Sequence, residues 1–318
     1  MIPTFRFMAV AAITLAAAQA TAEPEWSTAE PMPEARTEVW AATDGDRIFV
    51  AGGFAAGDGN PTAPRAVHAH DPQADTWDHL TDLPEGVNHA PLVHHDGRLY
   101  LVGGYRGASF EPIDDLRIYD IEADRWEDGA PLPTPRGALA AVVLDGRIHA
   151  IGGVAPGRVN TGAHEVFDPD AGEWSTAADM PTPRDHHGAA VVGADIVVIA
   201  GRNPETELLT VNEIYDADGD SWRTGADVPT GRSGVAAVTH DGAVYLFGGE
   251  QFDPPATFDE AERYDLAADS WDSLPPMPTA RHGLGAAVVD GAIHVIAGGP
   301  ERGLSYSAVN EVLRPSGN

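Results

Sequence analysis

The chain has 318 residues with 19 basic and 49 acidic side chains, a net charge of −30 with histidine neutral, and no cysteine. Zero cysteine removes disulfide frameworks, thiolate nucleophiles, cysteine-ligated zinc and iron–sulfur clusters. The acidity, with every cation an arginine, argues against a nucleic-acid partner held through its phosphates and against an anionic membrane surface.

Residues 1–22 read MIPTFRFMAVAAITLAAAQATA. Arg6 supplies a short positive start, Phe7 to Ala18 an apolar stretch too short for a bilayer span of roughly 20 residues, and Ala20-Thr21-Ala22 a small-x-small cleavage pattern. Residues 1–22 are therefore expected to be a signal peptide cut after Ala22, and the protein to be exported, periplasmic or secreted, with no membrane insertion after cleavage. The mature domain, 23–318, then carries 18 − 49 = −31. Such charge suits a salty milieu, where counterions screen self-repulsion.

From there the chain repeats. Trp26, Trp77, Trp126, Trp174, Trp222 and Trp271 recur about every 50 residues. Each is followed by a proline (Pro33, Pro84, Pro133, Pro181, Pro229, Pro278) and, three residues on, by Arg36, Val87, Arg136, Arg184, Arg232 or Arg281. A small-residue apolar run follows and ends in a tight turn, Asp-Gly in all but one unit, the strongest short hairpin signal. A second strand ends in Gly-Gly at 52–53, 103–104, 152–153, 248–249 and 298–299, with Gly201-Arg202 in the fourth unit. A variable loop leads to a third strand ending in Asp71, Asp120, Asp168, Asp216 or Asp265, and the next tryptophan lies six residues on. The last unit ends at Arg314-Pro315 without its tryptophan strand, while Trp26 is surplus at the start. Residues 25–32 are thus expected to complete the last sheet and leave no open edge.

Gly-Gly after an apolar strand, Tyr-Asp-x₅-Trp and Pro-x-x-Arg resemble the kelch repeat over essentially the whole mature chain. The resemblance implies an all-β, six-bladed kelch β-propeller, four antiparallel strands per blade, the last blade closed by an N-terminal strand. It does not imply an activity.

Three residues before the third-strand aspartate, or before Arg314 in the last unit, stand Glu165, Glu213, Glu262 and Glu311, in four units that carry the Pro-x-x-Arg arginine. Blade two has Arg117 there with Val87 at the arginine position, and blade one has His68 with Arg36. A buried arginine needs a carboxylate, so these arginines read as ties between strands rather than ligand contacts.

Binding is expected at the end that collects the loops after Gly-Gly and after Pro-x-x-Arg. The candidate ligand-binding residues there are Phe54, Asn88, His89, Tyr105, Arg106, Asp185, Asn203, Glu250 and His282. Glu38, His186, Glu250 and His282 are the candidates for any acid–base role, and Arg106, Arg158 or Arg202 could hold a carboxylate. Asp185-His186-His187, with His89 and His282 in equivalent strands, suggests a metal, but no HxH or HExxH spacing occurs and alternate strand residues face opposite ways. No metal and no cofactor are expected. Asp216-Ala-Asp218-Gly-Asp220 lacks the glycine and glutamate of a calcium loop, and His94-His95 and His240 sit by the Asp-Gly turns.

The preferred expectation is an exported, monomeric recognition module for a protein or glycan ligand, without catalysis. The alternative is a periplasmic sugar mutarotase resembling the kelch-type N-acetylneuraminate epimerase, although this chain's repeats are more regular than that family's. A copper radical oxidase of the kelch type needs a cysteine cross-linked to tyrosine, which this chain lacks.

Overall fold

The computed structural model describes residues 23–315 except residue 207; the expected signal peptide lies outside the described residues. Among the described residues there are six four-stranded antiparallel sheets and no helix. Blade one is Trp40–Thr43, Ile48–Ala51, Val67–Asp71 and Thr76–Leu80; blade two is Leu92–His95, Arg98–Val102, Leu116–Asp120 and Arg125–Asp128. Blade three is Ala140–Leu144, Arg147–Ile151, His164–Asp168 and Glu173–Thr176, and blade four Gly188–Val192, Asp195–Ile199, Asn212–Asp216 and Ser221–Thr224. Blade five is Ala236–His240, Ala243–Phe247, Ala261–Asp265 and Ser270–Ser273, and blade six Gly285–Val289, Ala292–Ile296, Asn310–Arg314 and Glu25–Thr28. The first strands pack side by side in a closed ring, that of blade six against that of blade one.

The seam forms where the sequence places it. Glu25–Thr28 pairs antiparallel with Asn310–Arg314, setting Trp26 opposite Leu313. Each registered tryptophan staples its blade to the one before. The indole N–H of Trp77 donates to Glu30 O (2.9 Å), of Trp126 to Thr81 O (3.0 Å) and of Trp174 to Ala130 O (2.8 Å). Trp222, Trp271 and Trp26 do the same to Ala178, Ala226 and Pro275, the last across the seam. The aspartate two residues before the tryptophan adds a second tie: Asp220 accepts from Ala178 N at 2.7 Å and Asp269 from Ala226 N at 2.6 Å. Asp220 is thus a blade tie rather than a calcium ligand.

The Asp-Gly turns are two-residue hairpins with both residues left-handed, as at Asp96 (φ 46°) and Gly97 (φ 71°). Blade one departs from this expectation. Its turn spans Asp44 to Arg47, because Asp44 accepts from the Asp46 and Arg47 amides (3.0 and 2.7 Å) and stabilises a wider loop.

The arginine ties hold in all four blades with the matching glutamate. Arg184 donates to Glu213 at 2.5 Å, Arg232 to Glu262 at 2.6 Å and Arg281 to Glu311 at 2.7 Å, and Arg136 pairs with Glu165. All four arginines are completely buried. In blade one Arg36 pairs instead with Glu34, at 2.7 Å. Glu34 replaces the threonine (Thr134, Thr182) whose hydroxyl donates to the tie glutamate in blades three and four.

Candidate functional site

In every blade the chain turns from Pro-x-x-Arg (Pro-x-x-Val in blade two) into its first strand through one left-handed residue. These are Glu38 (φ 55°), His89 (52°), Ala138 (53°), His186 (52°), Gly234 (70°) and Gly283 (58°). That backbone lets each amide reach the carbonyl of its counterpart one blade back. His89 N donates to Glu38 O (3.4 Å), Ala138 N to His89 O (3.0 Å), His186 N to Ala138 O (3.1 Å) and Gly234 N to His186 O (2.9 Å). Gly283 N to Gly234 O (2.8 Å) and Val39 N to Gly283 O (3.2 Å) close a collar of peptide groups around the axis. Four of the six positions carry a side chain at a conformation that costs about 1–3 kcal/mol each, and such strain gathers at functional sites. Gly283 has no choice: a Cβ there would lie 2.7 Å from Glu38 N.

The collar brings together residues that the sequence scatters. Glu38 is the hub. Its Oε2 lies 3.3 Å from His89 Nε2 and 4.0 Å from His186 Nε2, and its Oε1 lies 3.3 Å from His282 Nδ1. Glu250 Oε2 is 3.6 Å from the same His282 nitrogen. Arg202 bridges the far side: its Nε donates to Asp185 (3.1 Å), Nη1 to Glu250 (3.1 Å) and Nη2 to His186 Nε2 (3.0 Å). Asp185 also accepts from His186 Nδ1 and from Asn160 Nδ2, the latter at 2.6 Å.

Charge in this cluster follows from burial and neighbours. Burial pushes the Glu38 carboxyl up, but the imidazoles of His89, His282 and His186 more than reverse it and hold it below the usual carboxylate range. Burial pulls His89 down to about 3, so it is neutral. Burial also lowers His282, but Glu38 and Glu250 outweigh it, and the net shift is upward. Asp185 is raised by burial and more strongly lowered by His186 and Arg202, so it stays ionised.

The other expected residues fall into place around this cluster. Phe54 and Tyr105 are buried and pack against the His89 ring at 5.6 and 5.3 Å. Asn88 is buried and spent on structure, donating to Gly107 O (2.7 Å) and Ser109 O (3.2 Å). Arg106 lies at the rim, paired with Glu85. Asn203 is not in the cluster, a correction with a clear cause. Ala200-Gly201 occupies the place of Gly-Gly in blade four, since Ala200 holds φ 61° itself, so Arg202 pairs with Asp185 and Asn203 caps its own loop through Thr206 N (2.8 Å). Blade six is offset likewise: Ala297-Gly298 takes that place, and Gly299 rather than Pro300 lies opposite His282. His187 turns inward against Met180 and Gly152, as alternation requires. Asn160 carried no sequence signal.

Of two cavities of about 320 Å³, one is the axial channel, walled by small apolar residues such as Ala141, Ala189, Ala237 and Ala286 and lined by none of the cluster residues. The other is a cleft on the loop face between blades two, three and four. Tyr105, Phe110 and Pro112 line it together with Val154, Ala155 and Gly157 and with the polar Arg158, Asn160, Asp185, His186 and Arg202. Among the described residues Arg158 makes no ion pair.

A family model for the KLHDC2/KLHL20/DRC7 kelch-repeats domain matches residues 138–313, and the kelch motif matches residues 88–133. The kelch-like protein terF of Aspergillus terreus is 38% identical over 96 residues, 28% of this chain and 20% of its own length. Beta-scruin of Limulus polyphemus is 31% identical over 80 residues, 25% of this chain and 8% of its own. The chain therefore spans only a small part of these two relatives. The solved structure of YjhT superposes with a TM-score of 0.75 over 90% of this chain and 97% of its own, at 17% identity, which bears on the fold alone. With a family model covering more than half its length, this chain belongs to the kelch-repeat family of β-propellers.

Proposed function

We propose that the protein is an exported recognition module whose loop-face cleft binds a glycan bearing a carboxylate. The observation that carries this reading is Arg158. In a chain with 49 acidic residues and 19 basic ones, it lines a cleft and, among the described residues, has no carboxylate partner. A guanidinium able to take a carboxylate bidentately, in one cleft with Tyr105, Phe110 and Asn160, is the composition that sugar rings need: an apolar face to stack on and directed polar groups at the edges. The volume matches a single sugar residue. Export rests on residues 1–22, where the apolar stretch and the Ala-Thr-Ala pattern support it.

A thermal-shift screen of the mature chain with uronic acids, sialic acids and their neutral counterparts tests the reading. Acidic sugars should raise the melting temperature, and Arg158→Ala should abolish the rise while leaving the unliganded melt unchanged. Equal shifts from neutral sugars, or none from acidic ones, would refute it.

A second reading, sugar mutarotation, is supported by one specific arrangement. His186 lines the cleft with its Nδ1 held by Asp185, the pattern of an oriented general base. NMR-followed anomer exchange, with a His186→Gln control, separates the readings: turnover lost in the variant favours the enzyme.

A further inference from the structure

The geometry points to a binding site for one divalent first-row transition cation on the propeller axis, held by Glu38, His89 and His186. This inference is independent of the cleft reading.

Its basis is the tautomer of each ring. Asn88 Nδ2 donates to the Gly107 and Ser109 carbonyls, which fixes its Oδ1 as the atom facing His89 Nδ1. His89 Nδ1 therefore carries the hydrogen, and its Nε2 presents a lone pair. His186 Nδ1 faces the Asp185 carboxylate and its Nε2 accepts from Arg202, so it too is a donor at Nδ1 and a lone pair at Nε2. The His89 lone pair meets Glu38 Oε2 at 3.3 Å, and His186 Nε2, its lone pair taken by Arg202, lies 4.0 Å from the same oxygen. A lone pair facing a carboxylate oxygen repels it unless a cation lies between them.

His282 Nε2 donates to Glu301 O, which turns its Nδ1 toward Glu38 Oε1 and Glu250 Oε2. Glu38 thus points one oxygen, Oε1, toward His282 and the other, Oε2, toward His89 and His186.

Distances and partners fit a metal of the zinc type. Tetrahedral sites with bonds of about 2.0–2.1 Å place ligand atoms roughly 3.3 Å apart, and the Glu38–His89 separation is already 3.3 Å. The three ligand atoms lie within 4.8 Å of one another, and His186 Nε2 has to close in from 4.0 Å and exchange the Arg202 contact for the cation, while Arg202 keeps Asp185 and Glu250. Each histidine's other nitrogen is held by a neighbouring side-chain oxygen, from Asn88 and Asp185, the arrangement that orients metal-binding imidazoles. Two imidazoles and one carboxylate without thiolate favour Zn²⁺, Co²⁺ or Ni²⁺ over Mg²⁺ or Ca²⁺. The three ligands come from the collars of three different blades, so no local spacing in the sequence announces them.

The full chain, stripped by chelator and dialysed, is titrated with Co²⁺ and then Zn²⁺. The expected result is one Co²⁺ per chain with visible absorption typical of nitrogen–oxygen coordination, displaced by one equivalent of Zn²⁺. His89→Gln should weaken binding at least tenfold, and His240→Gln, at the opposite end of the propeller, should leave it unchanged. Substoichiometric uptake by the wild type, or a His89→Gln variant that binds normally, overturns the site. Should His89→Gln fail to fold, imidazole ¹⁵N shifts in the wild type decide: Zn²⁺ must move the Nε2 resonances of His89 and His186. A His89 protonated on both nitrogens and indifferent to Zn²⁺ refutes the proposal.

Discussion

Glu213→Gln isolates one buried tie. Glu213 accepts from Arg184 at 2.5 Å and from the Thr182 hydroxyl at 2.7 Å, and Arg184 is completely buried with further bonds only to the Thr182 and Val198 carbonyls, each at 3.0 Å. The amide keeps the shape and removes the charge. Arg184 is then a cation without a counterion in a site that already lowers its pKa by burial, a loss of roughly 3–5 kcal/mol. At about 2 °C per kcal/mol for a domain of this size, the melting temperature should fall by roughly 6–10 °C in a reversible melt followed by circular dichroism. Glu34→Gln in blade one is the internal comparison. Its carboxylate is 39% exposed while Arg36 is fully buried, so water can partly take the place of the lost charge and the loss should be clearly smaller than at Glu213. Ligand and Co²⁺ binding should be unchanged in both. Equal losses in the two variants, or a Glu213→Gln protein within about 2 °C of the wild type, would refute the assignment of these arginines as structural ties.

Deleting residues 23–29 should unfold or oligomerise the chain, because it strips Asn310–Arg314 of its partner and exposes a strand edge; gel filtration reads the outcome, and a stable monomer would count against the seam. The His149–His164 pair, with Nδ1 and Nε2 2.9 Å apart, is held by burial at about 4 and about 3. These lie below the unfolded value of 6.5, so the unfolded chain binds protons first. The pair's stability is complete above about pH 6.5 and is lost as the pH falls toward 4 and below, at about 1.4 kcal/mol per group per unit. Urea midpoints between pH 7 and 5 should fall more steeply than in a His149→Gln/His164→Leu double variant. Added salt should raise the melting temperature strongly in a chain of net charge −30, and a flat response would dissociate the acidity from a saline habitat.

The frame was legible because a propeller repeats its own constraints. Registered tryptophans, Asp-Gly turns and the coupling of Pro-x-x-Arg to a third-strand glutamate each recur in one chain, so the blade, the seam and the ties could be read by comparing the chain with itself. What escaped was whatever breaks the repeat. Alanine at 200 and 297 adopts the left-handed turn expected of glycine, shifting the pairing by one residue and bringing Arg202, not Asn203, to Asp185. Glu34 substitutes for a threonine and supplies Arg36 from the neighbouring turn. The Glu38, His89 and His186 convergence depends on a backbone conformation that side-chain identity does not disclose, since histidine, alanine and glutamate all adopt it here.

The axial collar separates architecture from chemistry. Its links are made by main chain, so the blades hold their positions whichever side chains decorate the rim. Gly234 is a vacant socket of this kind: a Cβ there would meet nothing nearer than 3.5 Å, and Ala138 already bears one in the same conformation. A single aspartate or asparagine, the residues that tolerate this backbone best, installed at either place would add a new polar arm to the centre without rebuilding a sheet. A propeller of this kind can thus acquire or exchange ligands one codon at a time.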